Sequence, residues 1–108
     1  MNALPPSLDS MTDKEYLRAV HMLPCCICDA FDEHQVSRTQ AHHPICARYS
    51  GKKRPDKTAI PLCEGHHQGL LDTSKIAIHR GKQTWVNRYG SDTDWIAVTQ
   101  DKVEGLTP

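Results

Sequence analysis

The stretch Ile60-Pro61-Leu62-Cys63-Glu64-Gly65-His66-His67 puts three residues of metal-ligand type into five positions, directly after a short apolar run. Cys63 and His66 form a C-x2-H pair, and Cys25 with Cys28 forms a C-x2-C pair upstream. Together they supply four soft or borderline ligands, the stoichiometry of a closed tetrahedral zinc site. Cys25 and Cys28 are the natural pair because they repeat the spacing of Cys63 and His66; Cys26 or Cys46 could substitute in principle. An isolated C-x2-C could also be a redox dithiol, but a second knuckle downstream favours a metal. His67 has no place in such a site. It joins His42 and His43, side by side between the two knuckles, and His79 downstream as the material for a second centre with room for chemistry.

A chain of 108 residues is expected to be one domain, and 38% hydrophobic residues with a single Phe leave a modest core that a metal staple would support. No apolar run approaches the roughly 20 residues needed to span a bilayer, and no basic-then-apolar leader opens the sequence, so a cytoplasmic protein with no membrane partner is expected. Five cysteines at these spacings suit metal binding in a reducing compartment better than a disulfide framework. The net charge of zero hides an uneven distribution. Residues 34–90 carry ten basic and three acidic side chains, whereas both flanks are acidic. The cations therefore collect on the segment that holds the histidines, as a polyanionic partner would require.

Residues 1–11, with Pro5 and Pro6, read as a flexible tail, and 12–108 as the domain, with its core at 24–90. Thr12 and Glu15 fit a capping box, and Tyr16, Leu17, Val20 and Leu23 follow at helical spacing, which predicts a helix to about His21 or Met22. Cys25 to Asp29 predicts a tight turn. Val36, Ser37 and Thr39 suit a strand running from Gln35 and ending at His42-His43-Pro44, and its alternation sends the two histidines to opposite faces. Thr58, Ala59 and Ile60 predict an antiparallel partner strand that Pro61 ends, and a helix begins near Glu64. On that helix His66 and His67 point about 100° apart, so they need not serve one ion. Further helices are expected over Gln83–Tyr89, stopped by Gly90, and from a Ser91 cap to about Lys102, with Trp85 and Trp95 in the core. The segment between the strands, with Arg48, Lys52, Lys53, Arg54 and Lys57, suits contacts to a phosphate backbone.

Strand, basic loop, strand, Leu-Cys-x-x-His turn and helix make a β-β-α unit. The set Cys25-x2-Cys28, Ala41-His42-His43, Asp56 and Pro61-Leu62-Cys63-x2-His66-His67 resembles the HNH, or ββα-metal, endonucleases. The run from Ile78-His79-Arg80-Gly81 through Tyr89-Gly90 resembles, more narrowly, the phage and prophage RecA-dependent recombination-enhancement nucleases. The resemblance covers about residues 24–90. It implies an α+β fold, a small zinc-stapled ββα-metal domain with flanking helices, and hydrolysis of DNA phosphodiester bonds with weak sequence preference. It implies His43 as general base, Asp56 in the place of the family's middle Asn, and His42, His67 and His79 as ligands of a catalytic divalent metal (Mg2+, Mn2+ or Zn2+). Cys25, Cys28, Cys63 and His66 would hold a structural Zn2+. Many relatives carry another His four residues after the equivalent of His67; here that position is Leu71, which leaves His79 as the third ligand. DNA and a RecA-type recombinase filament are the implied partners, in a bacterial host. The competing reading is a zinc module that binds nucleic acid, or assists recombination, without cutting.

Overall fold

The computed structural model describes residues 8–46 and 53–106. Helix α1 spans Asp13–Met22, α2 Cys26–Ala30, α3 Glu64–His67, α4 Lys82–Tyr89 and α5 Ile96–Leu106. Strand β1, Thr39–His42, pairs antiparallel with β2, Ile60–Cys63, in the register Thr39↔Cys63 to His42↔Ile60. The chain is thus α+β, with a two-stranded sheet among helices. No helix among the described residues is long and apolar enough to cross a membrane.

Helix α1 starts on the expected capping box: Glu15 N–H donates to Thr12 Oγ1, and Thr12 N–H donates to Glu15 Oε1. Its inward residues Tyr16 and Val20 join Met11, Leu23, Ala59 and Val103 in one buried cluster. Tyr16 hydroxyl donates to Ala59 carbonyl at 2.9 Å, and burial pushes its pKa up to about 12. His21 donates to Thr39 carbonyl, so α1 is also tied to β1. The second cluster lies on the other side of the hairpin and contains Cys25, Ile27, Ile60, Leu62, Ile78, Trp85 and Tyr89. Trp85 is fully buried, and Trp95 packs against this cluster as expected.

Several boundaries differ from the sequence expectation. Leu8–Ser10 form a 3-10 turn and Met11 is buried, so the end of the expected tail belongs to the fold; residues 1–7 lie outside the described residues. The Cys25 turn is the start of helix α2. Strand β1 begins at Thr39, not Gln35, because the Gln35 amide is committed elsewhere: its oxygen accepts Cys25 N–H, and its nitrogen donates to Ser37 carbonyl and Thr39 Oγ1. Strand β2 runs through Pro61 instead of ending there. Glu64 N–H donates to Arg38 carbonyl, so in alternating antiparallel register the hydrogen-bonded pairs fall at Gln40↔Leu62 and His42↔Ile60. Pro61, opposite Ala41, occupies a position whose nitrogen faces away from β1, and its missing donor costs the ladder nothing. Thr58 is in a 3-10 turn, Asp56–Thr58. Ser91 caps a 3-10 turn, Asp92–Trp95, that feeds α5, which continues to Leu106 instead of ending near Lys102.

Candidate metal centres

The first centre joins the start of α2 to the β2–α3 junction. Cys25, Cys28, Cys63 and His66 are all buried and present one ligand atom each to a common point; as a group they could hold a metal ion. His66 Nδ1 lies 3.4, 3.6 and 3.3 Å from the sulfurs of Cys25, Cys28 and Cys63, and Cys28 Sγ lies 3.9 Å from Cys63 Sγ. A tetrahedral ion with bonds of ~2.3 Å to sulfur and ~2.0 Å to nitrogen needs edges of ~3.5 Å between N and S and ~3.8 Å between sulfurs. The observed spacing matches both. The thiols resist joint ionisation by themselves. Burial and the nearby Cys63 push Cys28 up to about 11, while the Cys25 hydrogen bond and burial push Cys63 up to about 12; accepting that bond lowers Cys25. A bound cation reverses this penalty, since it stabilises all three thiolates together. Cys26, the spare, is turned into the core, where burial raises its pKa strongly. Cys46 is buried outside the cluster, its N–H donating to Asp92 Oδ1.

The second centre uses the other face of α3. His42 from β1, His67 from α3 and His79 come together with ring centroids 4.9 to 5.3 Å apart, and their candidate ligand nitrogens lie within 4.8 Å of one another. His79 reaches the site because the chain after α3 doubles back along it. Ile78 N–H donates to His66 carbonyl and His79 N–H to His67 carbonyl, each at 3.0 Å, which satisfies acceptors at the end of a short helix. Gly69 begins the reversal with φ +64, a left-handed conformation suited to a helix C-terminus. Gly65 permits its close packing, since a Cβ there would fall 2.4 Å from Asp72 Oδ2.

The two buried histidines of this cluster each donate a hydrogen bond from the other ring nitrogen to an oxygen. His42 Nε2–H donates to Asp92 Oδ2 at 2.8 Å, and His67 Nδ1–H donates to Gln40 Oε1 at 2.7 Å. These bonds select the tautomers that leave His42 Nδ1 and His67 Nε2 with lone pairs, as metal ligands require. His66 Nε2 lies 3.3 Å from Glu33 Oε1, within ion-pair distance but without a hydrogen bond. Burial, reinforced by His42 and His79 and to a smaller degree by His43, pushes His67 down to about 3, so it stays neutral and able to coordinate. Asp92 is fully buried, which alone would raise its pKa. Hydrogen bonds from His42 and from the N–H groups of Ile45 and Cys46 outweigh burial and hold it down to about 2.

His43 follows β1 directly and lies outside the three-histidine group, and its Nε2–H donates to Asp56 Oδ1 at 2.6 Å. Both side chains are part-exposed, at 18% and 29%. The basic residues divide. Arg48 and Lys52 lie outside the described residues, and Lys53 is exposed. Arg54 donates to Cys46 carbonyl and Lys57 to Leu8 carbonyl, so these two cations help to hold the fold. Lys57 was expected on an open phosphate-binding loop; its 2.7 Å contact and the Gln100 bond to its carbonyl turn it inward.

Sequence reasoning missed Asp92, Gln40, Glu33 and Glu64. Asp92 and Gln40 are remote in sequence from the ligands they orient. Glu64 carries a faint local signal as an acid at the start of a helix, but its carboxylate works on the following loop, accepting N–H from Leu70, Leu71 and Asp72. No curated protein and no solved structure matches this chain significantly. The family described as a protein of unknown function, DUF968, matches residues 3–105, and the chain belongs to that family.

Proposed function

We propose that this protein is a metal-dependent endonuclease of the HNH type, with a structural Zn2+ on Cys25, Cys28, Cys63 and His66 and a catalytic divalent ion on His42, His67 and His79. The observation that carries the reading is the pairing of a three-histidine cluster with a separate, part-exposed His43–Asp56 pair at the end of the same strand. A structural zinc site alone needs none of these five residues.

The chemistry follows from the donor types. Asp56 accepts the Nε2 proton of His43, which leaves Nδ1 as the acceptor for a proton from an attacking water. As that proton arrives, the Asp56 carboxylate stabilises the imidazolium and keeps the ring oriented. A divalent ion bound by the three histidines would supply polarisation of the scissile phosphate and neutralise the departing 3′ oxygen. Attack at phosphorus with loss of that oxygen gives 5′-phosphate and 3′-hydroxyl ends. Lys53, with Arg48 and Lys52, would bind the backbone without reading bases, which makes sequence preference weak.

The test is cleavage of single-stranded DNA, duplex DNA and DNA coated with a RecA-type recombinase, in Mg2+ or Mn2+. Metal-dependent cutting of any of them supports the reading, and the substrate cut decides whether a recombinase is a partner. Binding of all three without cutting would leave a zinc-stapled nucleic-acid-binding module instead.

Asp92 provides a separate prediction. Asp92→Asn replaces a carboxylate that accepts three N–H groups with a neutral amide whose NH2 must face at least one of them, so the hold on the His42 Nε2 proton weakens. Isothermal titration with Mn2+ should show binding at the histidine cluster weakened by about 10- to 100-fold, with zinc content at the cysteine site retained. Unchanged Mn2+ affinity would remove Asp92 from the site.

A further inference from the structure

Leu70 and Leu71 are 70% and 90% exposed, yet they sit in a loop held firmly to the protein. The Glu64 carboxylate accepts N–H from Leu70 at 2.8 Å, Leu71 at 3.1 Å and Asp72 at 2.7 Å. Arg80 donates to Gly69 carbonyl at 2.9 Å, and Asp72 accepts from Ser37 and Ser74. The backbone of this loop is therefore satisfied from within, while its two largest apolar side chains stay in water. It forms a stiff apolar projection.

Its position gives it a substrate-facing role. Gln68, Leu70, His79 and Arg80 line a cleft of about 290 Å3, and His79 is the exposed member of the histidine cluster. A second cleft of about 440 Å3 shares Arg80 with the first and is lined by Lys75, Thr73 and Thr84 among others. The nearby acids Glu64 and Asp72 are turned inward and engaged, and Glu33 pairs with Lys75 at 3.5 Å, which leaves Arg80 as the cation between the clefts. What approaches the exposed His79 meets Leu70 in the wall of the same cleft, Leu71 next to it in the chain, and the guanidinium of the exposed Arg80. Two leucines supply only a small part of the roughly 1,000 Å2 that a specific protein interface buries. They do match a polymer whose stacked apolar bases lie between anionic backbones, where inserted Leu side chains unstack a base step.

We infer that Leu70 and Leu71 form a wedge that enters a base step of the DNA beside the phosphate held at the histidine cluster, unstacking it and fixing the strand for cleavage. This inference rests on the nuclease reading, and the experiment separates the two. Duplex DNA carrying 2-aminopurine at successive positions is bound by the full-length His43→Ala protein, which keeps the strand intact, and fluorescence and affinity are recorded. The wedge predicts a severalfold rise in fluorescence. Adding Leu70→Ala and Leu71→Ala should remove most of that rise and weaken binding by about tenfold, while methionine at both positions should retain it. Both leucines are exposed, so the melting temperature should not move. Met22→Ala, which removes another exposed apolar side chain on α1, serves as the control and should change neither signal.

Equal fluorescence and affinity in the parent and the double-alanine protein overturns the wedge, and so does tight binding by the parent with no fluorescence rise. If the protein with His43 intact still cuts DNA in those cases, the nuclease reading survives. Unstacking by a protein that never cuts supports the wedge and overturns the nuclease reading. Absence of both binding and cutting overturns both.

Discussion

Cys63→Ser is expected to empty the cysteine centre and leave the domain unfolded at neutral pH. Cys63 is fully buried, closes β2 and precedes α3, and its sulfur lies 3.3 Å from His66 Nδ1 and 3.9 Å from Cys28 Sγ. A serine hydroxyl is a poor ligand at a soft site and leaves a buried polar group among Ile60, Leu62 and Trp85. Structural zinc in small domains contributes on the order of 10 kcal/mol of folding free energy, comparable to the whole ~5–15 kcal/mol stability of a typical domain. Elemental analysis should show loss of one zinc per chain, and circular dichroism loss of the cooperative melt. Cys28→Ser and treatment of the wild type with a strong chelator should give the same result. Cys26→Ser, altering a thiol that is equally buried but turned away from the cluster, should keep the metal. A Cys63→Ser protein that retained both zinc and melting temperature would show that these four residues do not staple the fold.

His43→Ala should do the reverse, leaving folding and metal content intact while reducing cleavage by about 10²- to 10⁴-fold, the usual contribution of a positioned general base. The side chain is part-exposed and belongs to neither cluster of buried apolar residues, so its loss opens no cavity in the core. Asp56→Asn should reduce cleavage as well, because an amide does not stabilise the imidazolium as a carboxylate does. Single-turnover rates with the metal in excess are the measurement, since they separate proton removal from substrate binding. Loss of zinc in His43→Ala, or an unchanged cleavage rate, would assign His43 to a different task.

Much of this arrangement was legible because it is written at short range. The capping box of α1 needs only Thr12 and Glu15, and the split of His66 from His67 follows from helical geometry alone. The cysteine centre was readable as two matched spacings, and the grouping of His42, His67 and His79 was expected from the resemblance. The parts that escaped are those in which a side chain replaces a backbone partner. Gln35 spends its amide on Cys25, Ser37 and Thr39 and so shortens β1, which no β-propensity registers. Pro61 is tolerated because of which edge of a two-stranded sheet it faces, a matter of register that composition does not reveal. Asp92 reads locally as an acid at a helix start, whereas its carboxylate is fixed fifty residues away on His42. Lys57 has the charge of a phosphate contact and the position of a strut, reaching Leu8 across the fold.

Helix α3 is four residues long and donates consecutive histidines to two different clusters. Neither cluster can then be ordered without ordering the turn that the other needs. Ligands that act on a common element are thermodynamically coupled, and the coupling is reciprocal: if an ion on the cysteine side raises affinity on the histidine side, the converse holds by the same factor. With ions on both sides, as proposed, each would stabilise the turn that the other needs, and the two centres would act as one cooperative unit.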